Sequence, residues 1–131
     1  FLVRPAGVYA DILKKNIEKY GTKVYLINTG WTGGPYGVGH RIPLKYTRSM
    51  VTAALTGAFD NIEFVKDEVF GLSMPTSCPD VPADILNPRN TWDDKAAYDE
   101  AAYALAALFV ENFKTLKGVA PEIIAAGPKT K

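Results

Sequence analysis

Apolar residues recur at helical spacing in two segments of the first half of the chain. Over residues 5–20 they lie three and four positions apart, and Gly21 follows as a C-terminal stop. A second helix is predicted from residue 44 or 45 to about 55, ended by Gly57. The residues of this second helix that are predicted to face inward are Met50, Val51, Ala54 and Leu55.

The strongest helical pattern covers residues 94–114, with Thr91 or Asp93 predicted to cap its start. Its predicted apolar face consists of Tyr98, Ala101, Ala102, Leu105, Leu108, Phe109 and Phe113. A last short helix is predicted over residues 122–126. Residues 94–126 are therefore expected to be mainly helical.

Short apolar runs between the helices predict strands. Residues 24–27 are a β-rich run, interpreted as a buried strand, and residues 61–65 and 68–72 are predicted to form a hairpin. A proline-rich stretch follows, with one turn of helix expected at residues 83–86. Together these elements predict a mixed α/β fold in which several helices pack on a short sheet.

Residues 29–41, called here the glycine loop, contain five glycines, all within positions 30–39. A strand, a glycine-rich turn and a helix can cradle phosphate, because bare amides and a helix N-terminus both favour anions. The loop does not match the phosphate-binding motifs, since His40 and Arg41 follow Gly39 where Lys and Ser or Thr would stand. From spacing alone, a surface loop or lid is therefore favoured over a phosphate cradle.

Several side chains in and after the glycine loop allow two interpretations each. Arg41 can pair with phosphate or stack on a base, or it is a plain surface arginine. Thr47 can contact a ligand, but capping the following helix is the default. Trp31 and Tyr36 can stack on a ligand, although anchoring the loop is the commoner role. His40, the single histidine, is interpreted as a surface residue.

Composition excludes several classes of function. Hydrophobic residues make up 47% and charged residues 22%, the net charge is +1, and the charges are scattered. This balance argues against nucleic-acid and membrane partners, and no apolar stretch is long enough to span a bilayer. The single cysteine, Cys78, fits a reducing compartment and has no histidine nearby in sequence. No cluster has metal-ligand spacing, and the acids around residues 93–100 are interpreted as a solvated helix start.

A set of strings, in order along almost the whole chain, resembles the ATP-dependent phosphoenolpyruvate carboxykinases. These strings are NTGWTGGPYGVG at 28–39, RI at 41–42, KYTR at 45–48, FGL at 70–72, SCP at 77–79, VP at 81–82 and LNPRNTW at 86–92. The ending, with LF at 108–109 and NF at 112–113, looks like the C-terminal helix of the family.

The resemblance implies an enzyme of gluconeogenesis in the cytoplasm that converts oxaloacetate and ATP to phosphoenolpyruvate, ADP and carbon dioxide with Mg²⁺ and Mn²⁺. It implies that residues 1–131 are the C-terminal segment of the mononucleotide-binding domain. By motif match, Arg41, Ile42 and Thr47 are expected to contact the base and ribose of ATP. No catalytic residue and no metal ligand is expected within these 131 residues.

Two departures from the family pattern are His40, where Lys or Asn is frequent, and Pro43, where Ser is frequent. The family's phosphate loop, metal ligands and substrate-binding residues are expected upstream. Because the chain opens on the apolar run at residues 1–3 without an initiator methionine, it is interpreted as a C-terminal fragment, inactive alone. An inert folded piece and a non-catalytic adenine-nucleotide-binding module remain as alternatives, and the oligomeric state stays open.

Overall fold

A computed structural model describes residues 3–131, so Phe1 and Leu2 of the opening apolar run lie outside the described residues. The α-helices of the described part are Ala6–Tyr20 (α1), Leu44–Thr56 (α2), Ala83–Leu86 (α3), Lys95–Phe113 (α4) and Pro121–Ala125 (α5). The strands are Trp31–Thr32 (β1), His40–Arg41 (β2), Phe64–Lys66 (β3) and Ser73–Pro75 (β4), and a 3₁₀ helix covers Pro88–Thr91. The predicted mixed α/β class is confirmed, and each predicted helix is found within about a residue of its expected ends.

The chain forms two compact units. The first unit comprises the chain up to Val24, Val69–Gly71 and Tyr103–Lys131. The second unit comprises Tyr25–Glu68 and Leu72–Ala102, and it contains the whole glycine loop.

In the first unit, α1 ends where the sequence predicts, because Gly21 adopts the left-handed conformation at φ 62°. The Lys14 ammonium donates to the Glu122 carboxylate at 2.6 Å and links α1 to α5. At the other end of α1, Gly7 lies against the backbone of Gly118. A Cβ on Gly7 would stand 2.1 Å from the Gly118 carbonyl oxygen, so only glycine fits this approach.

The second unit is built around a small apolar core on one side of α2. The buried core residues are Ala53, Phe59, Cys78 and Val81, and Met50 and Ala54 pack against them as predicted. The prediction that Val51 and Leu55 also face inward is wrong, since Leu55 is 82% exposed and Val51 is exposed. Apolar spacing marks a stripe on a helix, but it does not show which edge of the stripe has a neighbour.

The predicted buried strand at residues 24–27 is not found. Alternate residues are partly covered, and the Tyr25 ring packs on Phe59 at a centroid distance of 5.6 Å. Leu26 nevertheless remains 80% exposed. A strand needs a neighbouring strand for its ladder, and within residues 3–131 none pairs with this segment.

The predicted hairpin after α2 exists, but its strands are shifted. β3 and β4 are antiparallel, with Val65 opposite Met74. The strand predicted at 61–65 overlaps β3, whereas residues 68–72 belong to the connection. The Asp67 N–H donates to the Leu72 carbonyl at 2.8 Å across this connection, which is longer than the predicted two-residue turn.

The start of α4 is capped by Asp94, so the predicted cap at Thr91 or Asp93 is wrong. One oxygen of the Asp94 carboxylate accepts from the N–H groups of Ala96 at 2.8 Å and Ala97 at 3.1 Å. Any of several neighbouring polar residues suits a helix start, and only the backbone path decides which side chain faces the free amides.

The predicted apolar face of α4 is only partly correct. The most buried positions are Ala102 and Ala106, whereas Leu105, Leu108 and Phe109 are exposed. Burial on α4 therefore falls on small alanines and not on the larger apolar side chains of the predicted face. The Phe109 ring still meets an aromatic partner at 6.3 Å.

Candidate functional site

The glycine loop is a small hairpin that leads directly into α2. Its ends pair as β1 and β2, with Trp31 opposite Arg41 and Thr32 opposite His40. The Ile42 N–H donates to the Gly30 carbonyl at 2.8 Å and extends the pairing by one step. The predicted loop is therefore correct in position, and its two ends are held in register.

The tip of the hairpin is a tight turn that depends on Gly39. The Gly39 N–H donates to the Pro35 carbonyl at 2.9 Å. A Cβ on Gly39 would stand 2.5 Å from the carbonyl oxygens of both Thr32 and Gly34. Since backbone lies on two sides, no larger residue fits here without moving the loop.

Thr91 ties the end of β1, where the turn begins, to the 3₁₀ helix. Its hydroxyl accepts from the Thr32 hydroxyl at 2.8 Å and from the Gly33 N–H at 3.0 Å. The same hydroxyl donates to the Pro88 carbonyl at 2.7 Å. All three hydrogen-bonding positions of the hydroxyl are used. Sequence reasoning missed this role, because 58 residues separate Gly33 from Thr91.

The three residues predicted to contact a nucleotide lie at the exit of this hairpin. Arg41 ends β2 and is exposed, and no hydrogen bond or ion pair holds its guanidinium within residues 3–131. Ile42 is 6% exposed and Thr47 is 9% exposed. Thr47 lies inside the first turn of α2, where no side chain caps the helix, so the default capping role is wrong.

The two departures from the family pattern have simple local settings. Pro43 occupies the N-cap of α2, and its carbonyl accepts from the Tyr46 N–H at 2.9 Å. Its missing N–H precedes the helix, so the ladder of α2 loses no donor. The His40 side chain is exposed in β2, opposite Thr32. This agrees with the interpretation of His40 as a surface residue.

The segment that contains the hairpin and α2 carries basic side chains and no acidic ones. Residues 25–59 contain no Asp or Glu, and they carry the cations Arg41, Lys45 and Arg48. The first turn of α2 contains no acidic side chain either. A helix N-terminus carries partial positive charge, so this part of the second unit favours an anionic ligand.

Trp31 and Tyr36 contact each other edge to face, with ring centroids 5.2 Å apart. Tyr36 is 85% exposed, and Trp31 is also exposed. The prediction that both rings anchor the loop is therefore wrong for Tyr36. Its ring covers one side of Trp31 at the outer surface of the hairpin.

The remaining candidates for chemistry are structural. Burial raises the pKa of the Cys78 thiol, and the nearby Asp80 carboxylate adds to the effect, so the thiolate is disfavoured. Asp99 pairs with Arg89 through two hydrogen bonds of 2.8 and 3.0 Å. Within residues 3–131 no group of three or more His, Cys, Asp or Glu side chains could hold a metal ion. None of the helices in that range has the length and apolar content needed to cross a bilayer.

Comparison with known proteins identifies the family. The family model described as phosphoenolpyruvate carboxykinase matches residues 1–84. A protein named phosphoenolpyruvate carboxykinase (ATP) from Caldanaerobacter subterraneus subsp. tengcongensis is 60% identical over 129 residues, which cover 98% of this chain and 25% of that relative. A second carboxykinase (ATP) from Moorella thermoacetica is 58% identical over 98% of the chain, and 24% of that relative is covered.

A third relative, the phosphoenolpyruvate carboxykinase (ATP) of Thermus thermophilus, is 54% identical over 132 residues, covering 100% of the chain and 25% of that relative. The chain belongs to the phosphoenolpyruvate carboxykinase family, as the resemblance of its motifs predicts. It spans about a quarter of the length of the curated relatives it matches.

Proposed function

We propose that these residues form part of an ATP-dependent phosphoenolpyruvate carboxykinase. The enzyme converts oxaloacetate and ATP to phosphoenolpyruvate, ADP and carbon dioxide, a reaction of gluconeogenesis in the cytoplasm. The observation that carries the proposal is the 60% identity, over almost the whole chain, to a protein named for that activity. Within the enzyme, the residues correspond to the C-terminal segment of the nucleotide-binding domain.

The role proposed for this segment is to hold the adenine and ribose of ATP. Arg41 is exposed at the end of β2 without a partner among residues 3–131, so its guanidinium is free to lie over a base. Ile42 and Thr47 keep 6% and 9% of their surface exposed. The proposed contribution of each is therefore small, an aliphatic contact from Ile42 and a hydroxyl from Thr47, and Arg41 is proposed to supply most of the contact area.

The positive charge of residues 25–59 supports a nucleotide over a neutral ligand. Arg41, Lys45 and Arg48 face no carboxylate from their own segment. Unscreened cations raise the local concentration of a polyanion such as ATP. They also favour its phosphates once the base is bound.

The rest of the reaction is assigned to other parts of the enzyme. We propose Mg²⁺ and Mn²⁺ as its metal ions, which neutralise charge on the phosphates when bound. We propose that the metal ligands lie in other parts of the enzyme, since residues 3–131 contain no group of three or more His, Cys, Asp or Glu side chains that could hold a metal ion. What this segment contributes is orientation: a base held in place fixes the direction in which the terminal phosphate points.

The expected result of an activity assay follows from this division. A full-length polypeptide that carries these 131 residues should form phosphoenolpyruvate from oxaloacetate with ATP and a divalent cation. The isolated 131-residue chain should form none under the same conditions. The measurement is the rate of phosphoenolpyruvate formation with ATP, with GTP in its place, and without nucleotide.

Omitting the nucleotide is the control that shows the source of the phosphoryl group, since spontaneous loss of carbon dioxide from oxaloacetate gives pyruvate and no phosphoenolpyruvate. A rate in the full-length enzyme that is the same with and without ATP would contradict the proposed function. Equal rates with ATP and GTP would contradict the assignment of an adenine site. Activity of the isolated chain would show that it is more than the adenine side of the site.

A further inference from the structure

The 3₁₀ helix that carries Thr91 is fixed to the start of α4 by a two-pronged ion pair. The Arg89 guanidinium donates to both oxygens of the Asp99 carboxylate, at 2.8 and 3.0 Å. A guanidinium and a carboxylate joined in this way have a defined relative orientation. The pair lies at the surface, with both side chains exposed, and it connects the 3₁₀ helix directly to α4.

A second contact closes the other end of the 3₁₀ helix. The Lys95 ammonium donates to the carbonyls of Asn90 at 3.0 Å and Trp92 at 2.6 Å, the residues on either side of Thr91. The backbone around Thr91 is thus held on both sides. The Arg89–Asp99 pair acts before Thr91 in the chain, and the Lys95 side chain binds the carbonyls next to it. Thr91 presents its hydroxyl from a fixed position.

That hydroxyl joins its own helix to the hairpin: it donates to the Pro88 carbonyl, and both of its accepted hydrogen bonds come from the hairpin. The accepted bonds come from the hydroxyl of Thr32, the last residue of β1, and from the N–H of Gly33, the first residue of the turn. Thr32 pairs with His40, and Arg41 follows in the same strand. A displacement at Thr32 is therefore passed through the ladder to Arg41.

We propose that Thr91 is a positioning residue for nucleotide binding: it sets the position of β1, and through β1 that of Arg41. The inference rests on the proposed function, since it concerns the adenine site assigned above. It adds a residue that does not belong to that site and that lies 58 residues after Gly33 in the sequence. Thr91 acts through hydrogen bonds to the hairpin and does not itself touch ATP.

The hydrogen bonds of the Thr91 hydroxyl define which substitutions distinguish a positioning role from a packing role. Serine keeps a hydroxyl that accepts two hydrogen bonds and donates one. Valine keeps the shape of threonine and loses all three bonds, which leaves the Gly33 N–H without its acceptor. A role in packing alone would be preserved by Thr91→Val, whereas a role in positioning would be preserved by Thr91→Ser.

The test combines amide hydrogen exchange with kinetics in the full-length enzyme. In Thr91→Val, the Gly33 amide is expected to exchange about tenfold faster, the loss of roughly one hydrogen bond. The KM for ATP is expected to rise about three- to tenfold with kcat nearly unchanged, because only binding is affected. Thr91→Ser should stay near the unsubstituted enzyme in both measurements.

Thr56→Val is the matched control, since the Thr56 hydroxyl donates only to the Thr52 carbonyl on the surface of α2. If Thr91→Val does not fold, Thr32→Val removes one of the two bonds from the hairpin side and is expected to raise the KM about threefold. Unchanged Gly33 exchange in Thr91→Val, or equal behaviour of Thr91→Ser and Thr91→Val, would overturn the inference. Amide exchange is measured without nucleotide, so its result tests the role of Thr91 in holding the hairpin independently of the proposed function.

Discussion

Replacing Gly39 by alanine in the full-length enzyme is expected to weaken ATP binding roughly thirtyfold. The added Cβ would stand 2.5 Å from two backbone oxygens, those of Thr32 and Gly34, and 2.9 Å from the Gly34 nitrogen. Backbone on both sides cannot swing away as a flexible side chain does, so the turn has to open. Forcing a methyl group into such a space costs about 2 kcal/mol, which corresponds to that loss in affinity if the opened loop displaces Arg41.

Gly30→Ala is the control for this experiment, because it adds the same methyl group at the other end of the loop. A Cβ on Gly30 would meet only the Asn28 side-chain oxygen, at an ordinary distance of 3.5 Å. Titration calorimetry with ATP should therefore distinguish Gly39→Ala from Gly30→Ala. Equal affinities of the two variants would show that the shape of the glycine loop does not matter for the nucleotide.

Replacing Arg41 by alanine is expected to raise the KM for ATP about tenfold and to leave kcat nearly unchanged. A guanidinium over a base contributes on the order of 1 to 2 kcal/mol, which corresponds to a factor of that size. The contact is made at the adenine end, away from the transferred phosphate. Binding in the ground state and in the transition state should therefore weaken equally.

Two further variants separate stacking from charge. Arg41→Lys keeps the positive charge but lacks the planar guanidinium, so it should recover only part of the lost affinity. Arg48→Ala removes the same charge from the exposed surface of α2, outside the proposed contact. If Arg48→Ala and Arg41→Ala raised the KM for ATP equally, the effect would be one of overall charge and Arg41 would have no special place.

The helices of this chain could be predicted from sequence because their signals are local. Apolar spacing together with Gly21 and Gly57 places α1 and α2 within about a residue of their ends. Which side of a helix is covered could not be predicted. Leu55 is exposed and Ala106 is buried, although side-chain size suggests the reverse. That outcome depends on which segments pack nearby, and helical spacing carries no information about them.

In the candidate site, too, features with a local sequence signal could be predicted and long-range contacts could not. The glycine loop was visible from its composition, and its assignment to a nucleotide depended on the resemblance of the flanking strings, since spacing alone favoured a plain lid. The contact between Thr91 and Gly33 had no local signal at all. It joins positions 58 residues apart, and the sequence around Thr91 favoured a helix cap that Asp94 provides instead.

The central proposal is that adenine lies against the segment from Arg41 to Thr47. Photolabelling of the full-length enzyme with 8-azido-ATP, followed by mapping of the labelled peptides, tests it most directly. The expected result is a label within residues 41–47 or the adjoining glycine loop, suppressed by excess unmodified ATP. A label that ATP suppresses but that maps wholly outside residues 29–47 would contradict the assignment of the adenine site to this chain.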